Sequence, residues 1–297
     1  MAVDGRRRSE PRPELPDGLV DLHAHTVFSD GLFTPEELVA EAKRLNLTAV
    51  AITDHDAMGG VDRALAAGRK LGIEVVPGVE MSTTISGIDV HILGYYVDYG
   101  AEAAREFLEL IRQKRRERAE KMVVKLNELG VPVKMSRGEE IAAGAAIGRP
   151  HVAQAVAETG KVANADEAFS RYIGYDLPAY FPKMQLLPKQ VMDFIHNHGG
   201  IAVVAHPGTY RNDAVLYAAI SAGADGIEVW HPDHGEHDSD RYREIAQKNG
   251  LITTGGSDCH GGRKQGKIYL GQVAVPYRHL QAMKNLRQKR LQARAAE

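Results

Sequence analysis

The stretch Asp21-Leu22-His23-Ala24-His25-Thr26-Val27-Phe28-Ser29-Asp30-Gly31 carries two histidines, two residues apart, at the end of an apolar run. On a β-strand, residues i and i+2 point to the same side, so His23 and His25 project together and suit two ligands of one metal ion. Asp30 follows in the turn as an oxygen ligand within reach. Because two hydrogen-bonded histidines also produce a His-x-His pair, the meaning of this stretch depends on whether the same chemistry recurs along the chain.

Apolar strands alternate with helices on both sides of a long central segment. The first strand is predicted over 19–25, and the continuous apolar run 48–53 is typical of a parallel strand buried on both faces. Later strands are predicted at 73–79, 90–97, 201–205, 226–230, 251–255 and 272–275. This alternation indicates an α/β barrel or a doubly wound sheet. Residues 90–97 are expected to pair with 81–85 through a turn at Ser86-Gly87 and to interrupt the simple repeat.

The central segment is helical and predicts a domain division. One long charged helix is expected over 102–129, followed by helices near 138–146, 149–159 and 165–173. Insertions of this size in compact domains are usually functional, often as lids. We therefore predict a disordered leader (1–18), a barrel (19–97 and 185–297) and an inserted helical cap (98–184).

Composition narrows the class of protein. The chain has 297 residues, a formal net charge of −2 and one cysteine. An internal disulfide is excluded, and the charge balance gives no indication of a nucleic-acid coat or a membrane surface. No apolar run approaches the roughly 18 residues of a membrane span. These features together predict a globular protein of the cytoplasm.

Polar residues repeatedly follow the predicted strands, as they do at the active-site face of a barrel. The candidate metal ligands are His23, His25, Asp30, His55, Glu80, His91, His206, Asp258 and His260. Imidazole with carboxylate, and without thiolate, suits manganese, iron or zinc. Nine ligands exceed the need of one ion and predict two or three divalent ions. Such a site can act on both the attacking and the leaving oxygen of a displacement. A closed barrel would bring these strand ends together better than an open sheet.

Seven motifs in order carry a family resemblance. They are HAHTVFSDG (23–31), TDHD (53–56), GVE (78–80), HILGY (91–95), AHPG (205–208), GIEVWHP (226–232) and GSDCHG (256–261). In this order they resemble the PHP (polymerase and histidinol phosphatase) family, from about Leu19 to Gly262 with the insert between. The resemblance implies a distorted (β/α)7 barrel and three metal ions. The implied ligand sets are His23, His25, Glu80 and Asp258; Glu80, His91 and His206, with Glu80 bridging; and Asp30, His55 and His260.

The inserted cap points to one branch of that family. The chain is similar to stand-alone enzymes that remove the 3′-phosphate of 3′,5′-nucleotide bisphosphates, with relatives that trim short RNA from its 5′ end. The segment Gly148-Arg149-Pro150-His151 is similar to an Arg-x-His segment of this branch, which makes Arg149 and His151 candidate substrate-binding residues.

The resemblance also implies catalytic roles. Glu80 and Asp258 would hold the ions that generate the nucleophile from water. His234 resembles a residue that meets the substrate phosphate, and His234 or Asp258 would protonate the leaving oxygen. The expected cofactors are two or three divalent ions, with manganese ahead of iron and zinc, and the expected partner is a small phosphorylated nucleotide or a short RNA 5′ end.

Two other functions remain open from the sequence. Histidinol phosphate hydrolysis uses the same ligand types, and only the cap segment around Arg149 argues for a nucleotide. A non-catalytic PHP scaffold, like the domains tethered to polymerases, is disfavoured by the complete ligand set and the absence of polymerase sequence.

Overall fold

The computed structural model of the chain describes residues 18–262 and 268–296. All of the predicted leader except Gly18 therefore lies outside the described residues. Eight strands form one sheet in the order β7-β6-β5-β4-β3-β2-β1-β8. They are β1 (Leu19–Asp21), β2 (Ala49–Ile52), β3 (Glu74–Ile85), β4 (Ile88–Tyr95), β5 (Ile201–Val204), β6 (Gly226–Trp230), β7 (Ile252–Gly255) and β8 (Val275–Pro276).

The sheet closes on itself into a nearly complete barrel. The Leu22 amide donates to the Gly255 carbonyl at 3.2 Å, and Ala24 forms a parallel bridge with Cys259, so the chain after β1 meets the chain after β7. The predicted distorted α/β barrel is confirmed. Its eighth strand, β8, is two residues long. It pairs antiparallel with β1 and takes no part in the contacts between the chain after β1 and the chain after β7.

The β3–β4 hairpin is the distortion of the barrel. β4 pairs antiparallel with both β3 and β5, whereas β1–β2, β2–β3, β5–β6 and β6–β7 are parallel. The predicted pairing through Ser86-Gly87 is confirmed. The predicted end of the third strand at Val79 was wrong, because β3 runs on through Glu80 to Ile85 and lends its second half to the hairpin. The first strand is also shorter than predicted: β1 ends at Asp21.

Helices cover the barrel and build the insert. The barrel helices are α1 (Pro35–Arg44), α2 (Val61–Leu71), α7 (Pro188–Asn197), α8 (Asp213–Ser221), α9 (Glu236–Lys248) and α10 (Arg278–Ala295). The insert contains α3 (Glu102–Glu128), α4 (Met135–Ala142), α5 (Arg149–Glu158), α6 (Ala165–Ala168) and a π-helical turn (Phe169–Ile173). Thr34 and Glu37 form the predicted capping box at the start of α1. In the described part of the chain, no helix has the length and apolar character to cross a bilayer.

The insert has an apolar core of its own. One cluster of buried side chains lies entirely between Ala119 and Ala179 and joins the second half of α3 to α4, α5 and α6. The first half of α3 packs elsewhere: Ala104 and Ile111 belong to the barrel cluster that contains β3 and α7. One long helix thus fixes the insert to the barrel.

Candidate metal centre

The carboxyl-terminal edge of the barrel collects the histidines and carboxylates. His23 and His25 follow β1, His55 follows β2, His206 follows β5, and Asp258 and His260 follow β7. His91 lies near the beginning of its strand, but β4 runs antiparallel, so its beginning lies at the same edge as the other strands' ends. Register explains its direction, because His91 pairs with Ser82 and therefore shares a face with Glu80.

Three groups of side chains offer ligand atoms within 4.8 Å of one another. The groups are His25, Asp30, His55 and His260; His23, His25, Glu80 and Asp258; and His55, Glu80 and His91. His206 completes the last of these, since its Nε2 lies 2.9 Å from Glu80 Oε1 and 3.3 Å from His91 Nδ1. The structure thus brings all nine sequence-predicted ligands together.

Glu80 lies at the centre of this cluster. Its Oε1 is 2.7 Å from His91 Nδ1, and its Oε2 is 3.1 Å from His55 Nδ1 and 3.2 Å from His25 Nε2. The side chain is buried. A carboxylate with histidines around both oxygens has the arrangement that a bridging ligand requires.

The donor set fits divalent cations. Among the described residues, buried polar atoms without a hydrogen-bond partner include Asp30 Oδ1, His55 Nδ1, Glu80 Oε2 and His231 Nε2. Buried groups are rarely left without partners, so these atoms point to a ligand. Because the donors are imidazole nitrogens and carboxylate oxygens, manganese, iron and zinc all suit them.

Electrostatics favour the ionised form of Glu80 in this centre. Burial opposes ionisation of Glu80, yet His55 and His91 hold its pKa well below the ordinary value. Burial also disfavours the charged form of His23, but Glu228 and then Glu80 raise its pKa well above the ordinary value. A divalent cation that bound at this centre would displace the extra proton of a charged histidine such as His23.

Buried carboxylates outside the cluster orient its ligands. Glu228, on β6, receives a hydrogen bond from His23 Nδ1 at 2.9 Å, which turns Nε2 toward Glu80 and Asp258. Glu228 Oε2 also accepts from the His206 amide at 2.7 Å. Such partners fix the tautomer and direction of a metal-binding histidine.

Asp54 organises the turn that carries Asp30. Its carboxylate accepts hydrogen bonds from the Thr26 amide and hydroxyl and from the Ser29 hydroxyl, each at 2.7 Å. Burial raises its pKa against those hydrogen bonds. The turn after His25 therefore has a fixed shape.

Two of the candidate ligands lie on strained backbone. His206 has φ of 27° and Asp258 has φ of 48°, in the left-handed region that non-glycine residues seldom adopt. Strain of this kind persists where the surroundings impose it, and it concentrates at functional sites.

A cavity of about 520 Å³ opens onto the cluster, and two basic side chains, Arg149 and Lys183, line it. Arg149 lies in it with its guanidinium carbon 4.7 Å from the Tyr175 ring centroid. Lys183 Nζ lies 3.3 Å from His91 Nε2 and 3.5 Å from Asp89 Oδ2. Tyr175 donates its hydroxyl proton to Asp89, which connects the insert to β4 beside both cations.

The insert is fixed over the cavity by a buried ion pair. Arg115 Nε, on α3, donates to Asp56 Oδ2 at 2.8 Å, and Asp56 Oδ1 accepts from the Ser82 amide at 2.8 Å. The side chains of Arg115 and Asp56 are 13% and 2% exposed. Arg118, one turn further along, is also buried and donates to the Phe181 carbonyl. The charged face of α3 is thus only partly a solvated surface.

Two predicted substrate contacts have other partners. His151 Nδ1 accepts the Gly148 amide at 3.0 Å and so caps the start of α5, next to Arg149. His234 Nδ1 lies 2.9 Å from the Val229 carbonyl, and its Nε2 accepts the Gly208 amide at 3.0 Å. The structure therefore does not bring these rings into the ligand cluster, and their substrate roles stay predictions.

Sequence reasoning missed several residues of the site. Lys183 and Tyr175 lie in irregular segments of the insert, outside any motif. His231 was not missed, because the resemblance makes it an extra family histidine whose role the sequence leaves open. Its Nε2 lies 3.5 Å from Asp258 Oδ2, and its ring lines the cavity. Glu228 carried a signal, because it is a charged residue inside the buried strand GIEVW.

Comparison with known proteins agrees with this geometry. The model of the PHP domain matches residues 21–131. The 5′-3′ exoribonuclease Rnm of Escherichia coli is 31% identical over 249 residues, covering 82% of this chain and 85% of that protein. The 3′,5′-nucleoside bisphosphate phosphatase of Chromobacterium violaceum is 32% identical over 262 residues, covering 83% and 90%.

A solved structure gives the same result for the fold. The crystal structure of a metal-dependent phosphoesterase from Bifidobacterium adolescentis superposes with a TM-score of 0.82 at 32% identity, covering 91% of this chain and 96% of that one. With the clustered histidines and carboxylates, these matches identify a hydrolase of phosphoester bonds. The chain belongs to the PHP family of metal-dependent phosphoesterases.

Proposed function

We propose that the enzyme breaks the bond between phosphorus and the 3′ oxygen of a 5′-phosphorylated nucleoside. The preferred substrate would be a nucleoside 3′,5′-bisphosphate, which yields a 5′-nucleotide and phosphate. The observation that carries the proposal is the presence of Arg149 and Lys183 in the cavity that opens onto the candidate metal centre. This cavity offers a second position for an anion, next to the position of the scissile phosphate.

Arg149 and Lys183 also favour a nucleotide bisphosphate over histidinol phosphate, the first alternative substrate. Histidinol phosphate carries an ammonium group in place of a second phosphate. Its ammonium would lie beside Arg149 and Lys183 and be repelled, whereas a phosphate would accept charge-assisted hydrogen bonds from both. A scaffold without catalytic activity has no need of unpartnered ligand atoms such as Glu80 Oε2.

The roles of the residues follow from their positions. Divalent ions held by the nine ligands would make water a nucleophile at neutral pH and neutralise charge on the phosphate oxygens. Glu80 and Asp258 would fix the positions of those ions relative to one another. Arg149 and Lys183 would fix the second phosphate and thereby orient the ribose.

The departing 3′ oxygen needs a proton, and two candidates remain. Asp258 already lines the cavity. His234 would first have to exchange its contacts with Val229 and Gly208 for the substrate. Burial lowers the pKa of His234, which favours its neutral form. Asp258, as a carboxylate ligand, would have to take up a proton from the attacking water before it could pass one to the leaving oxygen.

Trimming of short RNA from the 5′ end involves the same bond. The leaving group is again the 3′ oxygen of a 5′-phosphorylated nucleoside, and the phosphate stays on the 5′ end of the remaining RNA. In this proposal, removal of a 3′-phosphate and trimming of a short RNA would be the same reaction on substrates of different length.

The experiment compares two nucleotides that differ only in the 5′-phosphate with two substrates of other classes. Purified protein supplied with manganese is assayed with adenosine 3′,5′-bisphosphate, adenosine 3′-monophosphate, histidinol phosphate and a short 5′-phosphorylated RNA. We expect the highest kcat/KM for the bisphosphate or the RNA. Arg149→Met and Lys183→Met should each lower kcat/KM for the bisphosphate about 10- to 100-fold, as expected for hydrogen bonds to a charged group.

A matched control is Lys189→Met, which removes an exposed lysine on α7. It should leave all four activities unchanged. Equal kcat/KM with and without the 5′-phosphate, or a preference for histidinol phosphate, would contradict the proposal.

A further inference from the structure

A second cavity meets the first at the candidate metal centre. It has a volume of about 640 Å³, and Asp30, Asp258 and His260 line both cavities. A substrate with its scissile phosphate at this centre can therefore extend into both.

The two cavities differ in chemistry. Phe169 and Pro150 of the insert and Pro232 and Tyr269 of the barrel form walls of the second cavity. Its described lining includes Asp166 but no lysine or arginine, in contrast to the first cavity with Arg149 and Lys183. A flat, uncharged group would pack against the rings there.

The backbone at Phe169 supplies a separate observation. The regular hydrogen bonding of α6 ends at Ala168, and a π-helical turn begins at Phe169. Single π-helical turns occur frequently at functional sites. The Phe169 ring centroid also lies 5.8 Å from the guanidinium carbon of Arg149, so this wall of the second cavity contacts a residue that lines the first.

We propose that the second cavity binds the nucleobase of the substrate, with Phe169 and Tyr269 as stacking surfaces. The inference rests on the proposed function. The ribose of a nucleoside 3′,5′-bisphosphate carries three large substituents, and three sites could receive them. The metal centre would bind the 3′-phosphate, the first cavity the 5′-phosphate and the second cavity the base. Because every base has a flat face, stacking tolerates any of the four bases, which suits an enzyme that acts on nucleotides or on RNA ends alike.

The test removes the base from the substrate. Adenosine 3′,5′-bisphosphate is compared with 1,4-anhydroribitol 3,5-bisphosphate, which keeps the sugar ring and both phosphates. We expect the wild-type kcat/KM to be about 5- to 150-fold lower without the base, the range for one stacked base. Phe169→Leu and Tyr269→Leu should each bring the ratio of the two kcat/KM values closer to one.

Tyr217→Leu, an exposed aromatic residue on α8, is the matched control and should preserve the ratio. A ratio near one in the wild type would overturn the inference while leaving the bisphosphate activity intact. The inference would also be overturned if both leucine variants lowered the two kcat/KM values equally, since a purely structural role predicts that result. If neither bisphosphate is hydrolysed although another phosphate ester is, the proposed function fails and the inference fails with it.

Discussion

His23 joins the candidate metal centre to a carboxylate on β6: its Nδ1 lies 2.9 Å from Glu228 Oε1, while its Nε2 lies 3.3 Å from Glu80 Oε2. Both side chains are buried. A ligand histidine that is held in this way presents one nitrogen in a fixed direction and is a stronger base. Glu228 therefore acts on the metal centre without lying among the predicted ligands.

The first prediction concerns Glu228→Gln. Loss of the charge that supports His23 should weaken metal binding about 10- to 100-fold. A competition titration with a chelator of known affinity measures the change directly, without an activity assay. Glu236→Gln, at an exposed position at the start of α9, removes the same charge from the surface and should bind metal as the wild type does. Equal affinity in Glu228→Gln would contradict the role of Glu228.

The second prediction concerns Glu80, which has histidines around both of its oxygens. Glu80→Ala should lower kcat on the order of 10³-fold, which corresponds to several kcal/mol of transition-state stabilisation, because divalent ions bound at this centre would lose a carboxylate ligand. Turnover and metal content are measured on the same preparation. Near-normal turnover with full metal content would show that Glu80 is not central to the reaction.

The strand-end ligands could be predicted from the sequence because each one follows an apolar run, and a barrel brings such ends to one edge. His91 was less secure, since its position at the beginning of a strand becomes favourable only if that strand is antiparallel. Lys183 and Tyr175 had no such signal. They reach the centre only because the insert folds back over the barrel, and no local pattern encodes that contact.

The face of α3 that turns inward illustrates the same limit. The run Arg112-Gln113-Lys114-Arg115-Arg116-Glu117-Arg118 resembles a solvated charged surface. Helical spacing predicts that Arg115 and Arg118 share a side, but it does not say that this side faces Asp56 and Phe181. Only the position of the insert decides which arginine is buried.

The third prediction compares a largely buried arginine of this run, Arg115, with an exposed one, Arg116. Arg115→Met leaves the buried Asp56 carboxylate without its cation and should lower the free energy of unfolding by about 3–5 kcal/mol. It should also speed hydrogen exchange in α3, because the ion pair fixes the insert to the barrel. Arg116→Met, on the next residue, removes an exposed arginine that pairs with Glu120 and Glu139, and should change both measurements little. Similar effects of the two substitutions would mean that the ion pair does not fix the insert.

The fourth prediction concerns the other end of the barrel, where α10 is held by Asp225. The carboxylate of Asp225 receives hydrogen bonds from Arg290 Nη1 at 2.6 Å and from the Ala202 amide at 2.9 Å, and it lies 2.9 Å from His196 Nε2. Burial opposes its ionisation, yet His196 and Arg290 lower its pKa below the ordinary value. A depressed pKa in the folded state stabilises the fold above the unfolded-state pKa, and the contribution is lost as the pH falls through the folded-state value.

Arg290→Met should therefore lower the free energy of unfolding by about 1–3 kcal/mol at pH 7, as expected for a hydrogen bond to a charged group. The difference from the wild type should stay constant down to about pH 5 and shrink below about pH 4, where the Asp225 carboxylate becomes protonated first in the folded variant and then in the folded wild type. Urea denaturation at a series of pH values measures it. Lys289→Met, at the preceding exposed position of α10, controls for loss of a positive charge. A difference that persisted undiminished at the lowest pH where the fold survives would show that Arg290 stabilises α10 by packing and not through Asp225.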